Sequence, residues 1–291
     1  MNFNRIGVIG AGTMGHGIAQ ACACAGLHVT LIDLTPEALQ RGLVTIGASL
    51  DRLVKKDRLS AADKAAALAR IHTSTDYAAL VGADLVIEAA TEQLELKQRI
   101  LRQVDELVAT DVLIASNTSS ISITALSGCV RSPERFIGLH FFNPVPVMAL
   151  LEVIRGARTS DASHEAALVF ANRLGKTPIS VRNSPGFVVN RILIPMINEA
   201  VFVLQEGLAS ATDIDTGMQL GCNQPIGPLA LADMIGLDTT LAVMQVLYDS
   251  FADPKYRPAP LLKEMVAAGL LGRKSGRGFF DYRVQRDNRH E

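Results

Sequence analysis

Residues 6–15 restrict this chain more tightly than any other stretch. The apolar run Ile6-Gly-Val-Ile9 leads directly into Gly10-Ala-Gly12-Thr-Met-Gly15, and a helical pattern opens at once after it. Strand, glycine-rich turn and helix in that order form the arrangement that holds the pyrophosphate of a dinucleotide. Gly10 permits the tight turn, Gly12 lets the pyrophosphate come against the backbone, and Gly15 lets the helix pack closely on the sheet. The helix start then offers free N–H groups and the positive end of its dipole to the phosphates. A second strand pattern ends at Asp33, 18 residues beyond Gly15. A carboxylate there accepts hydrogen bonds from the adenosine ribose and repels the extra phosphate of NADP. No arginine follows it before Arg41, so the pattern predicts NAD.

Residues 1–184 continue the alternation of strand and helix, which predicts a Rossmann-type, mostly parallel α/β sheet. Strands are expected at Ile6–Ile9, Val29–Asp33, Leu85–Glu88, Val112–Ala115, Ile137–Phe141, Leu150–Ile154 and Pro178–Val181. Their apolar runs lack polar alternation, as suits strands covered on both faces. Helical patterns fill 13–25, 36–70, 92–108 and 162–174, the last with Ala166, Val169, Phe170 and Leu174 on one face. The stretch 36–70 is too long for one crossover helix and is expected to form a helical hairpin projecting from the domain. Its tip, Asp51–Arg58, is rich in positive charge. After Ser184-Pro185-Gly186 strand patterns fade. Helices are expected at Phe187–Glu206, Ala211–Leu220, Leu229–Ser250 and Ala259–Ala268, so 185–291 reads as a smaller all-α domain.

A length of 291 residues fits two domains, and 48% hydrophobic against 20% charged residues fits globular cores. The net charge of -1 gives no reason to expect nucleic acid or an anionic membrane as partner. Cys22, Cys24, Cys129 and Cys222 form no CxxC pair, so neither a disulfide framework nor a metal site is expected. Four residues precede the first strand pattern, which leaves no room for a leader, and a cytoplasmic protein is expected.

Three polar residues stand near strand ends in the second half of the first domain: Ser119, His140 and Glu152. In open α/β sheets the ligand crevice lies beyond those carboxyl ends. His140 interrupts Gly138-Leu-His-Phe-Phe142, and Glu152 interrupts Leu150-Leu-Glu-Val-Ile154. A buried carboxylate needs a partner, and two such insertions in consecutive strands can satisfy each other. A His–Glu pair suits alcohol oxidation: the imidazole takes the hydroxyl proton while hydride leaves for a nicotinamide. A nucleophilic triad of Ser119, His140 and Glu152 is the rival reading. It lacks a G-x-S-x-G elbow and would leave the dinucleotide motif unused.

Four further stretches carry a family resemblance: Ala115-Ser-Asn-Thr-Ser-Ser120, Gly138-Leu-His-Phe-Phe-Asn-Pro-Val-Pro-Val-Met148, Pro185-Gly-Phe-Val-Val-Asn-Arg191 and Gly236-Leu-Asp-Thr-Thr240. The chain resembles the short-chain L-3-hydroxyacyl-CoA dehydrogenases nearly end to end, and within them the bacterial 3-hydroxybutyryl-CoA dehydrogenases. The resemblance implies His140 as catalytic base, Glu152 as its orienting acid, and Ser119 and Asn190 as holders of the substrate oxygen in a cleft closed by both domains. It implies cofactor contacts at Gly10, Gly12, Thr13, Met14, Gly15, Asp33, Glu92, Lys97, Asn117, Ser119, Asn143 and Lys274. Read without it, Glu92, Lys97 and Lys274 are solvent-facing charges. Ser49 and Lys56, with Ser119, match contacts to the acyl-CoA; seven residues apart, Ser49 and Lys56 share a helix face if the helix is continuous. The implied reaction is the reversible oxidation of (S)-3-hydroxyacyl-CoA by NAD to 3-oxoacyl-CoA, in a homodimer built on the apolar C-terminal helices. A dehydrogenase of small free hydroxy acids, or a retired NAD-binding structural protein on the same fold, remains an alternative.

Overall fold

Eight strands form one sheet in the order β3-β2-β1-β4-β5-β6-β7-β8. They are β1 (Arg5–Ile9), β2 (His28–Ile32), β3 (Ile71–Ser74), β4 (Leu85–Glu88), β5 (Leu113–Ser116), β6 (Phe136–Phe141), β7 (Leu150–Arg155) and β8 (Thr177–Arg182). All neighbours pair in parallel except β6 and β7. The computed structural model describes residues 3–283. The chain divides into two compact units, the first ending at Ser184 and the second beginning at Pro185.

The parallel strands β1, β4 and β5 are buried along almost their whole length, because crossover helices cover the sheet. Those helices are α1 (Thr13–Cys24), α2 (Pro36–Val54), α3 (Ala61–Ala69), α4 (Leu94–Leu107), the short α5 (Ile123–Ser127) and α6 (Asp161–Arg173). Strand order reverses at β1, which has β2 on one side and β4 on the other. The crevice beyond their carboxyl ends is the usual ligand position in such a sheet. One large core joins Ile18 and Cys22 of α1, Val8 and Leu31 of the sheet, Ile46 and Leu50 of α2, and Phe170 of α6.

Helices α2 and α3 make the hairpin, but it does not project freely. Leu39, Gly42, Ile46 and Leu50 form a buried stripe at helical spacing, and α2 and α3 both pack against α1. At the tip Asp51, Arg52 and residues 55–58 are all exposed. Thr35 caps α2 by accepting from Ala38 N, and Pro36 occupies its first turn. At the other end Asp57 has φ 52°, and the amides of Asp57 and Arg58 bond to Val54 O and Leu53 O. That Schellman closure stops the helix just before Lys56. Ser49 and Lys56 therefore do not lie on one continuous helix.

Three other sequence expectations change. Strand β3 is missed by periodicity because Ile-His-Thr-Ser is a short, polar edge strand paired only with β2. On α6 the buried face runs through Ser163, Ala166, Ala167, Phe170 and Ala171, and Val169 is 58% exposed, one helical step of about 100° away from that stripe. The helix expected over 229–250 is two, α9 (Pro228–Ile235) and α10 (Leu237–Phe251), bent by 99° at Gly236, whose φ of 103° interrupts the helix.

The second unit contains α7 (Val189–Gln205), α8 (Ala211–Gly221), α9, α10 and α11 (Pro260–Ala267). Ile194, Ile197, Val201, Leu229, Leu237, Met244, Leu247 and Leu262 form its core. Asp215 accepts from Leu229 N and Ala230 N, supplying the cap that Gly227 cannot. A Cβ on Gly227 would stand 2.2 Å from that carboxylate. Asp233, also buried, accepts from Phe279 N, Phe280 N and the Tyr282 hydroxyl. It thereby holds residues 279–282 on α9. Among the described residues no single helix is long and apolar enough to cross a membrane, and the bent pair α9–α10 contributes to this core.

Phe170 is fully buried and meets Phe3 edge-on with ring centroids 5.5 Å apart. Phe170→Ala is expected to cost about 3–5 kcal/mol, read as a lower urea midpoint with an unchanged m-value.

Candidate active site

The glycine turn is built as tightly as its sequence requires. Gly10 has φ 98° and donates its N–H to Ile32 O at 2.7 Å, joining the ends of β1 and β2. A Cβ on Gly15 would stand 1.7 Å from Gly10 O, so only glycine allows α1 to close on the turn. Beside Gly12 there is nothing within 4 Å of a Cβ position. No side chain caps the start of α1, where Thr13 and Met14 form the first turn. Open space over uncapped helix N–H groups fits a pyrophosphate. Asp33 follows β2 directly; its Oδ2 accepts from Ala11 N at 2.6 Å and its Oδ1 from Leu34 N at 2.7 Å. Gly12, Thr13, His16, Asp33 and Arg41 line one groove. Arg41, on α2 and eight residues beyond Asp33 in sequence, stands in the same groove. The residues present fit an adenosine dinucleotide there.

β4 and β5 end side by side on Glu88 and Ser116. Glu88 is fully buried; it accepts from Lys97 Nζ at 2.8 and 3.0 Å and from the Ser116 hydroxyl at 2.6 Å. Lys97, on α4, is 1% exposed, and its ammonium also donates to Ala90 O at 3.1 Å. It is a buried, paired cation and not the solvent-facing charge that the sequence alone suggests. Glu92 lies 3.3 Å from the same ammonium and is partly exposed. Its Oε1 accepts from Thr118 Oγ1 at 2.5 Å, Ser119 N at 2.9 Å, Ser120 N at 3.2 Å and Ser120 Oγ at 3.1 Å. Burial pushes the Glu92 carboxyl up, but Lys97 and these donors outweigh it and hold it below the usual carboxylate range.

Asn117 points its Oδ1 to Phe141 N at 2.9 Å and so fastens the loop after β5 to the end of β6. It is buried and its carbonyl is engaged by the fold, a task the sequence does not announce.

His140 and Glu152 face each other across the antiparallel pair β6–β7. His140 Nδ1 lies 2.7 Å from Glu152 Oε2; the ring is 4% exposed and the carboxylate 0%. An ionised carboxylate can only accept, so Nδ1 carries the hydrogen and Nε2 is the basic nitrogen. Phe142 packs against the imidazole with centroids 4.6 Å apart. The following loop holds Asn143, exposed, before a cis bond to Pro144. Lys176, just before β8, donates to Val145 O and Met148 O and holds this loop. Burial pushes its ammonium down from the ordinary lysine range.

Two expected residues belong to the second unit. Asn190 is in the first turn of α7 and is half-buried. Lys274 is partly exposed and forms an ion pair with Asp238 of α10. Ser49 is half-buried on α2, and Lys56 is exposed just past its end. Sequence reading missed Glu88, Ser116, Asp238 and Lys176. Glu88 had a usable signal, since it ends the apolar run Leu-Val-Ile just as Glu152 interrupts one. Among the described residues no group of three or more His, Cys, Asp or Glu could hold a metal ion.

Residues 5–184 match the 3-hydroxyacyl-CoA dehydrogenase NAD binding domain, and residues 186–282 match the C-terminal domain of the same family. The chain is 50% identical over 279 residues to 3-hydroxybutyryl-CoA dehydrogenase of Bradyrhizobium diazoefficiens, covering 96% of this chain and 95% of the relative. It is 42% identical over 286 residues to mitochondrial hydroxyacyl-coenzyme A dehydrogenase of Homo sapiens, covering 96% and 91%. The solved structure of (S)-3-hydroxybutyryl-CoA dehydrogenase from Ralstonia eutropha superposes with a TM-score of 0.94 at 64% identity, covering 97% of this chain and 99% of that one.

Asp33→Ala removes a charged acceptor from the groove and frees the Ala11 amide. NADH affinity is expected to fall about tenfold or more, from a loss of about 1.5–3 kcal/mol, in a fluorescence titration.

Proposed function

Because the chain belongs to the 3-hydroxyacyl-CoA dehydrogenase family, we propose that it oxidises (S)-3-hydroxybutyryl-CoA to the 3-oxoacyl-CoA, reversibly, with NAD. The buried His140–Glu152 pair carries this reading. It puts a basic nitrogen at the carboxyl end of the sheet on which the dinucleotide groove stands. Bound NAD would supply the hydride acceptor. His140 Nε2 takes the hydroxyl proton as the C–H hydride departs, leaving an imidazolium. Glu152 stabilises that cation and keeps the ring in one tautomer and orientation. In the reverse direction the imidazolium returns the proton to the carbonyl oxygen. The family resemblance assigns Ser119 and Asn190 to hydrogen bonds with the substrate oxygen.

The four-carbon acyl group is favoured by the names and the identity of the relatives, 50% and 64% for two bacterial 3-hydroxybutyryl-CoA enzymes. Ser49 and Lys56 are assigned to the CoA portion. The exposed cations at the hairpin tip support this, since phosphate draws Lys and Arg. Residues 1–184 hold the cofactor, and 185–291 complete the enzyme and form a homodimer. The family resemblance carries the homodimer, and Leu208, Leu220 and Ile192 are exposed apolar residues on that unit. Two cytoplasmic copies with no nucleic acid or membrane partner complete the reading.

The deciding assay follows NADH consumption with acetoacetyl-CoA beside free acetoacetate. Turnover of the thioester and not of the acid is expected. His140→Ala and Glu152→Gln should each lower kcat by about 10²–10⁴ with NADH affinity retained. Equal turnover of the free acid would shift the reading to a hydroxy-acid dehydrogenase, and NADH binding without turnover would favour a structural protein. Lys56→Glu is expected to raise the KM for acetoacetyl-CoA more than that for NADH; equal effects would remove Lys56 from the CoA contacts.

A further inference from the structure

The contacts of Glu92 and Lys97 exceed what holding a cofactor requires. Lys97 is fully enclosed, with its ammonium hydrogens directed at Glu88 and Ala90 O. Four donors from three consecutive residues, Thr118, Ser119 and Ser120, converge on one oxygen of Glu92. Thr118 Oγ1 in turn accepts from Ile121 N at 2.9 Å, so the loop is curled around this carboxylate. Charge-assisted bonds of this kind are short and directional. The Ser119 N–H is engaged by Glu92, yet no partner takes the Ser119 hydroxyl among the described residues. Fixing the backbone while the hydroxyl stays available sets where Oγ stands before a substrate arrives.

The same ammonium reaches both ends of the loop. Through Glu88 it fixes Ser116, whose hydroxyl bonds to Glu88 Oε2 at the root of the segment. Through Glu92, 3.3 Å away, it fixes residues 118–120. Between them Asn117 is tied to Phe141 N, next to His140. Segment 116–120 is therefore braced from α4 and from β6 at once.

We propose that Glu92, held by the buried Lys97–Glu88 pair, is a positioning residue that fixes Ser119 relative to His140. The proposal rests on the reading of Ser119 as a contact to the substrate oxygen. A double-mutant cycle separates the two ideas. Ser119→Ala, Glu92→Ala and the combined variant are compared by kcat with acetoacetyl-CoA and by NADH affinity in a fluorescence titration. Glu92→Ala is expected to lower kcat, measured at saturating NADH, about tenfold to hundredfold, the range for residues that orient a working side chain. Added to Ser119→Ala, it should cost less than about threefold more, because there is no hydroxyl left to position. Glu92→Gln, which keeps an acceptor oxygen, should recover part of the kcat. Lys97→Met combined with Glu88→Gln, which leaves no buried charge unpaired, should reproduce the kcat loss of Glu92→Ala. Losses that multiply in the combined variant, or an unchanged kcat of Glu92→Ala at saturating NADH, would overturn the proposal. Full activity of Ser119→Ala would instead sink the reading of Ser119 on which it rests.

Discussion

Two carboxylates without solvent access, Glu88 and Glu152, constrain how the carboxyl end of this sheet can be built. A buried ion costs several kcal/mol in lost hydration unless a partner and hydrogen bonds offset it. Glu152 obtains a histidine from the neighbouring strand, and Glu88 a lysine from the next helix and a serine from the next strand. Each pair ties together two elements that the chain could otherwise place more loosely. The proposed chemistry uses one of these pairs directly and the other as support for the loop that carries Ser119.

The switch in strand direction at β7 is what makes the first pair possible. Residues directly opposite in an antiparallel pair have their Cβ atoms about 4.5–5.5 Å apart and share a face. His140 and Glu152 are opposite in this way, so their contact follows from register. The connecting loop, Asn143 to Ala149, is held by Lys176 through two of its carbonyls. At the other end of the crevice the parallel strands β1 and β2 finish together, and Gly10 and Asp33 bind their turns to each other. The sheet thus carries the glycine-turn groove and the His140–Glu152 pair within one unit.

Much of this is legible in the residues. Apolar strands without alternation mark a covered sheet, and a glycine triplet after the first of them specifies a dinucleotide turn. His140 and Glu152 stand out because each interrupts an apolar run. Other features resist such reading for definite reasons. β3 is too short and polar for its periodicity to show. Nothing local marks Gly236 as a helix break, since an isolated glycine inside a helical pattern is usually tolerated. Lys97 resembles any exposed lysine at a helix start until Glu88 is placed beneath it. Asn117 gives no local sign of its bond to the Phe141 amide until β6 stands beside β5.

What the sequence alone determined is whatever depends on local pattern: the α/β alternation, the dinucleotide turn, the change of character at Ser184-Pro185 and the family. Side-chain periodicity, turn chemistry and motif spacing act over a few residues and can be read along the chain. What only the tertiary structure decided is the partner of each buried charge. That Lys97 serves Glu88 and Glu92, that Glu92 collects Thr118 to Ser120, and that Asn117 fastens β5 to β6 all join residues 5 to 28 positions apart. Such contacts exist only once the sheet has ordered β4, β5 and β6 side by side, because the low dielectric that makes a pairing obligatory is itself a product of the fold.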